Sequence, residues 1–254
     1  MAAAGVEFAE VSFTLTAGDA TSGRDLVRKI SLGLESGTTT ALLGRSGSGK
    51  TTLLRMVNGL VLPTRGEVRV AGRSTMAWDA VELRRAMGYV IQETGLFPHW
   101  GVRRNVGIAL ELAGQRGEAS AARVDEVLRL VGIDPGDLGE RYPWQLSGGQ
   151  RQRVGLARAL AADPEVLLMD EPFGALDPMT RAEMQTMLRE LLRRMGKTVL
   201  LVTHDLDEAL YLAERVVFLE GGEIVGDLRA AEVLKSENEH VRRYVAAVHR
   251  AVGR

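Results

Sequence analysis

The sequence predicts an α/β fold with an N-terminal antiparallel β region and a helical insertion. Three observations lead to this prediction. Residues 6–34 contain two strand patterns separated by a turn region, before any helix pattern begins. Short apolar strands then alternate with helices before residue 94 and again after residue 148, which is typical of a parallel sheet. Between these two parts, residues 94–147 carry mostly helical patterns.

Composition excludes several classes of protein. The 254 residues allow one large domain or two small lobes, and the hydrophobic fraction of 45% is ordinary for a globular protein. The net charge of −1 gives no indication of nucleic-acid binding through bulk charge. Cysteine is absent, which excludes disulfides, thiolate metal ligands and cysteine catalysis.

Neither a secretory signal nor a membrane span is expected. The first ten residues lack a basic segment followed by an apolar one. No apolar run approaches the roughly 20 residues that a bilayer requires. Any role at a membrane is therefore expected to involve a partner.

The opening strands follow from alternation and turn residues. Residues 6–15 alternate apolar and polar side chains, which indicates a strand. Residues 17–25 are rich in Gly, Thr, Ser and Asp and predict a turn. Residues 26–34 predict a second strand, which ends at Glu35-Ser36-Gly37.

A phosphate-binding pattern lies between a predicted strand at residues 39–43 and a predicted helix at residues 52–59. The pattern G-x-x-x-x-G-K-[ST] is matched in full by Gly44-Arg45-Ser46-Gly47-Ser48-Gly49-Lys50-Thr51. Glycines let backbone N–H groups converge on anionic oxygens, and the following helix adds its positive dipole end. Lys50 can reach outer phosphates, and the Thr51 hydroxyl can ligate Mg²⁺. A chance Gly/Ser-rich turn is the alternative, which the flanking strand and helix disfavour.

The middle of the chain continues the alternation and then becomes helical. Residues 63–66 predict a turn, and the strand predicted at 88–91 delivers Gln92 to a loop at its end. The predicted elements here are a strand at 67–71, a helix at 82–87, a strand at 88–91, and helices at 102–113 and 119–131.

The last third resumes the α/β pattern. The predicted elements are helices at 149–161, 180–195 and 206–213, strands at 166–169, 198–202 and 216–219, and a hairpin through Gly221-Gly222 into a strand at 223–226. A final helix at 241–252 has an apolar face formed by Val241, Tyr244, Val245 and Val248. Docking of this face on the core is predicted, and a membrane-surface helix is the alternative.

Two further motifs predict chemistry. The apolar strand at 166–169 ends in Asp170 and Glu171, and ligands of parallel sheets bind beyond the carboxyl ends of strands. Asp170 is predicted to hold Mg²⁺ and Glu171 to polarise an attacking water. Acidic capping of a helix is the alternative. Leu146-Ser147-Gly148-Gly149-Gln150 directly precedes a helix and predicts a second anion-binding site.

These motifs, in this order, resemble the nucleotide-binding subunit of an ATP-binding cassette (ABC) transporter, and the resemblance covers nearly the whole chain. It implies a P-loop NTPase (RecA-like) core at about residues 1–93 and 148–228, a helical subdomain at about 94–147, and C-terminal helices at about 229–254.

The resemblance also implies residue roles. Glu171 would be the catalytic glutamate, His204 the switch histidine and Gln92 the Q-loop glutamine. A lone histidine after an apolar strand is usually structural, but its position after residues 198–203 favours function. Mg²⁺ would be held by Thr51, Gln92 and Asp170. ATP would contact Gly44, Arg45, Ser46, Gly47, Ser48, Gly49, Lys50, Thr51, Thr52 and Leu15, and across a dimer Ser147, Gly148, Gly149, Gln150 and the D-loop residue Asp177.

One position departs from the family pattern. The family usually stacks adenine on an aromatic residue of the first strand, and alignment through Val11-Ser12 puts Leu15 there. Phe13 lies two residues earlier, on the same face of the strand. Either residue could pack on adenine.

The resemblance implies partners as well. A second copy would pair head to tail with the first, each completing the other's site, and a membrane permease would be driven from the cytoplasmic face, with a solute-binding protein involved indirectly. Residues 95–100 and 171–177 resemble importers of osmoprotectants such as glycine betaine, choline and other quaternary amines. Many such relatives carry a regulatory pair of domains after the core, which this chain is expected to lack.

Other functions stay open at this stage. A lipid or sulfonate transporter, or an exporter, would share the same core motifs. A non-transport ABC ATPase acting on nucleic acid or ribosomes is the third possibility, although neither a basic patch nor a coiled-coil insertion is visible.

Overall fold

Two units make up the chain in the computed structural model, which describes residues 5–15, 23–92 and 94–252. The first unit is Met1–Leu83 with Thr198–Arg254, and the second is Arg84–Lys197. Residues 17–22 of the predicted turn lie outside the described residues. Within the described ranges, no helix combines the length and apolar character that crossing a bilayer requires.

The N-terminal sheet of the first unit is antiparallel, as the sequence predicts. Its strands lie in the order β2-β1-β4-β5. Val6 and Phe8 are buried together because alternate side chains of a strand share a face, and Val11 is buried as well because the register shifts between Phe8 and Val11. The strands are β1 (Val6–Leu15), β2 (Arg24–Leu34), β4 (Arg65–Val70) and β5 (Arg73–Ser74).

A second group of strands in the same unit carries the phosphate loop. β3 pairs in parallel with both β8 and β9, and β10 pairs antiparallel with β9. Every residue of β3 and β8 is buried, which explains their continuous apolar character. The strands are β3 (Thr39–Gly44), β8 (Thr198–Thr203), β9 (Arg215–Glu220) and β10 (Glu223–Arg229).

The helices around these strands bury one face each. Val241 is fully buried beside Phe218 and Val233, while Tyr244, Val245 and Val248 pack against the same cluster. The predicted docking of the C-terminal helix on the core is therefore confirmed. The helices are α1 (Lys50–Val57), α8 (Leu206–Leu212), α9 (Ala230–Val233) and α10 (Glu239–Val252), with α2 (Ala80–Arg85) at the boundary between units.

The second unit surrounds one central helix. α6 packs against α3, α4, α7 and β6, and β6 pairs in parallel with β7. Arg103 of α3 bonds Asp125 of α4 and Glu140 at 2.8 and 2.7 Å. The elements are β6 (Met87–Val90), α3 (Val102–Leu112), α4 (Glu118–Leu130), α5 (Pro135–Leu138), a 3₁₀ turn (Pro143–Gln145), α6 (Gly148–Leu160), β7 (Val166–Asp170) and α7 (Pro178–Met195).

The predicted helices and strands are all present, with boundaries that shift by one to three residues. The sequence did not reveal β5, α5, α9 or the 3₁₀ turn, because segments of two to four residues carry no periodicity. α1 begins at Lys50 rather than at Thr52. Lys50 and Thr51 thus form the first turn of the helix itself.

Candidate functional site

The loop between β3 and α1 is shaped by glycine. Gly47 and Gly49 have φ values of +77° and +102°, which side chains other than glycine rarely adopt. A Cβ on Gly49 would lie 2.7 Å from the Leu26 carbonyl oxygen, and one on Gly44 would clash with the Leu219 carbonyl. The backbone can follow this path only because these positions lack side chains.

The inside of this loop holds a cation and a hydroxyl. Lys50 is 5% exposed, and its Nζ donates to the carbonyls of Gly44 at 2.8 Å and Arg45 at 3.0 Å. Ser48 Oγ is buried and has no hydrogen-bond partner within the described residues. A buried ammonium, an unpaired hydroxyl and the start of α1 fit the oxygens of a polyphosphate. Thr51 and Thr52 follow in the first turn, both half-buried.

The strand that should contact adenine ends near this loop. Phe13 is half-buried and pairs with Val27, whose Cγ2 would lie 3.3 Å from a Cβ on Gly49. Leu15 pairs with Arg24 at the end of β1 and is 51% exposed. The two strands β1 and β2 therefore come close to the phosphate loop at the Phe13–Val27 pair. Which of Phe13 and Leu15 packs on adenine stays a prediction.

His204 follows β8, which runs parallel to β3. Next to it, Thr203 Oγ accepts from the Asp205 amide at 3.0 Å, and Asp205 caps α8 by accepting from the Glu208 amide at 3.1 Å. Because parallel strands end at the same edge, the loops after β3 and β8 lie together. They line one cavity of about 600 Å³ that includes Arg45, Ser46, Gly47, Ser48 and His204.

In the second unit, β7 delivers the two predicted carboxylates. Asp170 is the last residue of the strand and is 6% exposed. Glu171 has a φ of +46°, a left-handed conformation that is rare for glutamate and is found most often where function requires it. Its Oε2 lies 3.5 Å from Nε2 of Gln92. The structure thus brings Gln92 and Glu171 together.

The predicted second anion site lies at the start of α6. Ser147 Oγ accepts from the Gln150 amide at 3.2 Å, and Gln150 Oε1 accepts from the Ser147 amide at 2.9 Å. This reciprocal capping fixes the first turn of the helix. A Cβ on Gly149 would meet Thr180 of α7, and one on Gly148 would approach Leu176. The two glycines therefore allow α6 to begin in close contact with α7.

Asp177 caps the helix that contacts this site. Its Oδ1 accepts from the Thr180 amide at 3.1 Å. Hydrogen bonds from the Thr180 hydroxyl and amide lower the pKa of the Asp177 carboxyl, so it is ionised at neutral pH. Its role as a helix cap is visible in the structure, and a role toward nucleotide stays a prediction.

Sequence reasoning missed three residues that organise these loops. Arg158 of α6 donates to the carbonyls of Thr94 at 2.6 Å and Gly95 at 2.7 Å, just after Gln92, and burial lowers its pKa. Asn105 bonds both the amide and the carbonyl of Phe97. Tyr244 bonds the carbonyl of His204. An arginine within the otherwise apolar run 154–160 was the available signal for Arg158.

A metal site built only from protein side chains is not found in the described ranges, where no group of three or more His, Cys, Asp or Glu is arranged to hold an ion. The predicted Mg²⁺ ligands Thr51, Gln92 and Asp170 offer hydroxyl, amide and carboxylate oxygens. Oxygen donors of this kind suit Mg²⁺, which is usually held by one or two carboxylates together with substrate phosphates.

Comparison with known proteins decides the family. A sequence model described as ABC transporter matches residues 27–174, which is more than half of the chain. The chain belongs to the ABC transporter family. The prediction of an ATP-binding cassette ATPase is thereby confirmed, and the matched range includes the loop at Gly44–Thr51, the capped start of α6 and the Asp170-Glu171 pair, whose roles stay predictions.

Relatives of this ABC protein are named for glycine betaine and related solutes. It is 47% identical over 240 residues to the Escherichia coli glycine betaine uptake system ATP-binding protein YehX, covering 94% of this chain and 76% of YehX. It is 45% identical to Bacillus subtilis OpuCA, a glycine betaine/carnitine/choline transport ATP-binding protein, covering 88% of this chain and 59% of OpuCA. It is 44% identical to Salmonella typhimurium OsmV, an osmoprotectant import ATP-binding protein, covering 86% and 58%.

Solved structures confirm the predicted fold class. The bacterial ABC transporter cassette MJ0796, solved as a dimer, matches with a TM-score of 0.78 and 33% identity, covering 89% of this chain and 98% of that one. The same cassette, solved in a post-hydrolysis state with ADP and Pi, matches with the same score. The α/β architecture with an antiparallel and a mixed group of strands is thus that of ABC cassettes.

Proposed function

We propose that this ABC ATPase hydrolyses ATP to drive a membrane permease that imports a quaternary amine or similar osmoprotectant. The observation that carries the proposal is the 47% identity to YehX over 94% of this chain. OpuCA and OsmV, named for the same class of solute, support it at 45% and 44% identity. The nucleotide-binding subunit would lie at the membrane through its permease, and a solute-binding protein would deliver the solute.

The phosphate loop has the properties that ATP binding needs. The backbone amides of Gly47 to Thr51, the α1 dipole and the buried Lys50 ammonium offer positive charge to phosphate oxygens. Arg45, Ser46 and Thr52 flank these groups. If Lys50 turns from the loop carbonyls to a phosphate, both partners of its hydrogen bond are charged and the interaction becomes stronger.

Glu171 is proposed as the general base. A glutamate close to an attacking water would accept its proton as the bond from the water oxygen to the γ-phosphorus forms and the bond from that phosphorus to the ADP oxygen breaks. Gln92, whose amide lies 3.5 Å from Glu171, would orient the same water. Mg²⁺ held by Thr51, Gln92 and Asp170 would neutralise charge on the phosphates.

Two copies of the chain are proposed to form the working unit. The capped N-terminus of α6, with Ser147, Gly148, Gly149 and Gln150, would bind the γ-phosphate held by the other copy. Asp177 would lie at the same interface. Such an arrangement gives two identical sites in a closed two-fold dimer, and closure with ATP followed by opening after hydrolysis would move the permease.

Solute identity is the part of the proposal that needs a direct experiment. Agrobacterium fabrum CysA 2, a sulfate/thiosulfate import ATP-binding protein, is also 45% identical, over 230 residues. The chain should be reconstituted in proteoliposomes with the permease and binding protein encoded beside it. Glycine betaine, choline, carnitine and sulfate are then compared as stimulators of ATP hydrolysis, with the Glu171→Gln chain as the inactive control.

Stimulation by at least one quaternary amine, and none by sulfate, is the expected result. If sulfate or a lipid stimulates hydrolysis while all three amines fail, the solute class is wrong although ATP hydrolysis stands. If the parent chain hydrolyses ATP no faster than the Glu171→Gln control, the assignment of Glu171 is wrong.

A further inference from the structure

Part of the wall of the cavity beside the phosphate loop is formed by residues that lie outside the family motifs. One side is formed by Arg45–Ser48 and His204, and the opposite side by Tyr244, Ala247 and Val248 of the C-terminal helix α10. All of these residues belong to the first unit. The C-terminal helix therefore faces the segment that carries the predicted switch histidine.

A hydrogen bond joins α10 to that segment. Tyr244 Oη donates to the carbonyl oxygen of His204 at 2.8 Å. The Tyr244 ring packs edge-on against Phe218 of β9, with centroids 5.7 Å apart, so the hydroxyl has little freedom to move. Burial, with a smaller contribution from the negative charge of Asp205, raises the pKa of Tyr244. The hydroxyl therefore keeps its proton at neutral pH and can donate it.

The helix that carries Tyr244 is anchored at two further places. Val241, one turn earlier, is fully buried with Phe218 and Val233. On the exposed side, Glu220 at the end of β9 contacts His240 at 2.8 Å and Arg243 at 3.2 Å. The Tyr244 hydroxyl is thus presented from a helix whose position and rotation are both fixed.

The segment around His204 is held from the other side by its own caps. Thr203 Oγ1 accepts a hydrogen bond from the Asp205 amide, which ties the residue before His204 to the residue after it, and the Asp205 carboxylate accepts one from the Glu208 amide. These bonds fix the residues before and after the histidine, and Tyr244 holds the histidine's own carbonyl. A displacement of the His204 backbone would move the imidazole with it and would break this bond.

We propose that Tyr244 is a positioning residue for ATP hydrolysis, acting by holding the His204 backbone so that the imidazole faces the nucleotide. This inference rests on the proposed ATPase function and on the predicted role of His204 as the switch histidine. Tyr244 would act through His204 and not on the reacting atoms. It makes ATP turnover depend on the docking of the C-terminal helix, which lies 40 residues further along the chain.

Tyr244→Phe tests the inference, because it removes one hydroxyl and keeps the ring that packs on Phe218. We expect kcat for ATP to fall about three- to tenfold, which corresponds to the loss of one neutral hydrogen bond that holds His204 in place, while KM for ATP changes less than twofold. Tyr211→Phe, which removes a tyrosine hydroxyl from the neighbouring helix α8, is the matched control and should keep the parental kcat.

A second readout on the unloaded protein separates positioning from a general loss of structure. The chain contains four histidines, so labelling with carbonyl-¹³C histidine gives few NMR signals, and His204→Gln assigns the one of interest by its loss. Tyr244→Phe should shift the His204 carbonyl signal and leave the other histidine signals in place. Tyr211→Phe should leave all of the histidine carbonyl signals in place.

The outcomes are distinct. An unchanged His204 carbonyl signal, or an unchanged kcat, in Tyr244→Phe overturns the positioning role. A fall in kcat that comes with shifts of all histidine signals also overturns it, since the variant has then lost structure generally. If His204→Gln hydrolyses ATP like the parent, the proposed role of His204 fails instead, irrespective of Tyr244.

Discussion

The guanidinium of Arg158 donates a hydrogen bond to the carbonyl oxygen of Gly95 at 2.7 Å, and a second one to Thr94 at 2.6 Å. Arg158 lies near the end of α6, and Ser147 caps the start of the same helix. Thr94 and Gly95 both have positive φ, and Gly155 packs against Thr94. Helix α6 therefore begins at the residues that are predicted to bind the γ-phosphate, and near its last turn it holds the loop that follows Gln92.

Arg158→Met tests how much the two hydrogen bonds of Arg158 contribute to the free energy of unfolding. The change keeps an unbranched side chain but removes the charged donor from the part-buried carbonyl of Thr94 and from the exposed carbonyl of Gly95, which should lower the free energy of unfolding by about 1–3 kcal/mol. Urea denaturation followed by circular dichroism measures it. Arg193→Met, an exposed arginine on α7, is the control and should cost less than about 0.5 kcal/mol. An equal effect of both substitutions would contradict the structural role of the Arg158 bonds.

Arg158 also shows where sequence reasoning reached its limit. The phosphate loop, Asp170-Glu171 and Ser147–Gln150 were predictable, because each motif is a local run whose spacing and flanking element carry the signal. Arg158 and Gly95 are 63 residues apart, and Tyr244 and His204 are 40 apart. No local pattern shows such pairs, since they form only when the helices pack.

The proximity of Gln92 and Glu171 could be only half predicted. The sequence placed each residue at the end of a strand, but it did not show that these two strands, β6 and β7, are neighbours. Their pairing is what brings the two side chains within 3.5 Å of each other. The left-handed backbone at Glu171 had no sequence signal at all, because the Asp-Glu-Pro run does not require it. Conformational strain of this kind is a property of the tertiary structure.

Glu171→Gln should nearly abolish hydrolysis without preventing ATP binding. The amide keeps the shape of the side chain but cannot accept a proton, so kcat is expected to fall about 10²- to 10⁴-fold. ATP should then hold two copies together, which gel filtration with and without ATP measures. Glu165→Gln, an exposed glutamate just before β7, is the control and should hydrolyse ATP like the parent. Parental turnover in Glu171→Gln would mean that another group is the base.

Shared sites across a dimer can be tested by mixing two inactive chains. Lys50→Ala should weaken ATP binding, because it removes the buried ammonium from the phosphate loop. Ser147→Arg should leave ATP affinity near the parental value and abolish hydrolysis, because it blocks the start of α6. In a mixed dimer both defects fall in one site and the other site is intact.

The mixture should therefore recover a measurable part of the parental ATPase rate, about one quarter if a single intact site turns over independently and the chains pair at random. Rates are measured for each variant alone and at equal molar ratio. No recovery on mixing, or an equal loss of ATP affinity in both variants, would argue against sites shared between two such copies.

Adenine packing can be assigned by two opposite substitutions. Leu15 is 51% exposed and offers no aromatic face, so Leu15→Tyr should tighten ATP binding by about three- to tenfold through stacking on the base. GTP should compete with ATP more effectively in the parent than in Leu15→Tyr. Calorimetric titration of both nucleotides measures this. If Leu15→Tyr brings no gain while Phe13→Ala weakens ATP strongly, Phe13 is the residue that packs on adenine.

Coupling to the permease is expected to pass through the aromatic loop after Gln92. Phe97 and Trp100 lie 4.3 Å apart, centroid to centroid, and the buried Asn105 side chain bonds the carbonyls of both residues. Arg104 lies over the Trp100 ring at 5.0 Å. The loop is thus a stiff element directly attached to the segment that carries Gln92.

Trp100→Ala should accordingly remove most of the stimulation of ATP hydrolysis by permease and solute, while the basal rate of the chain alone falls less than twofold. The reason is that the indole is a large part of the loop's packed aromatic cluster, and its ring contacts within the described part of the chain are to Phe97, His99 and Arg104. Trp144→Ala, which removes a 73% exposed indole from the same unit, should keep the stimulation. Proteoliposomes with the cognate permease measure both rates, and preserved stimulation in Trp100→Ala would show that the signal takes another path.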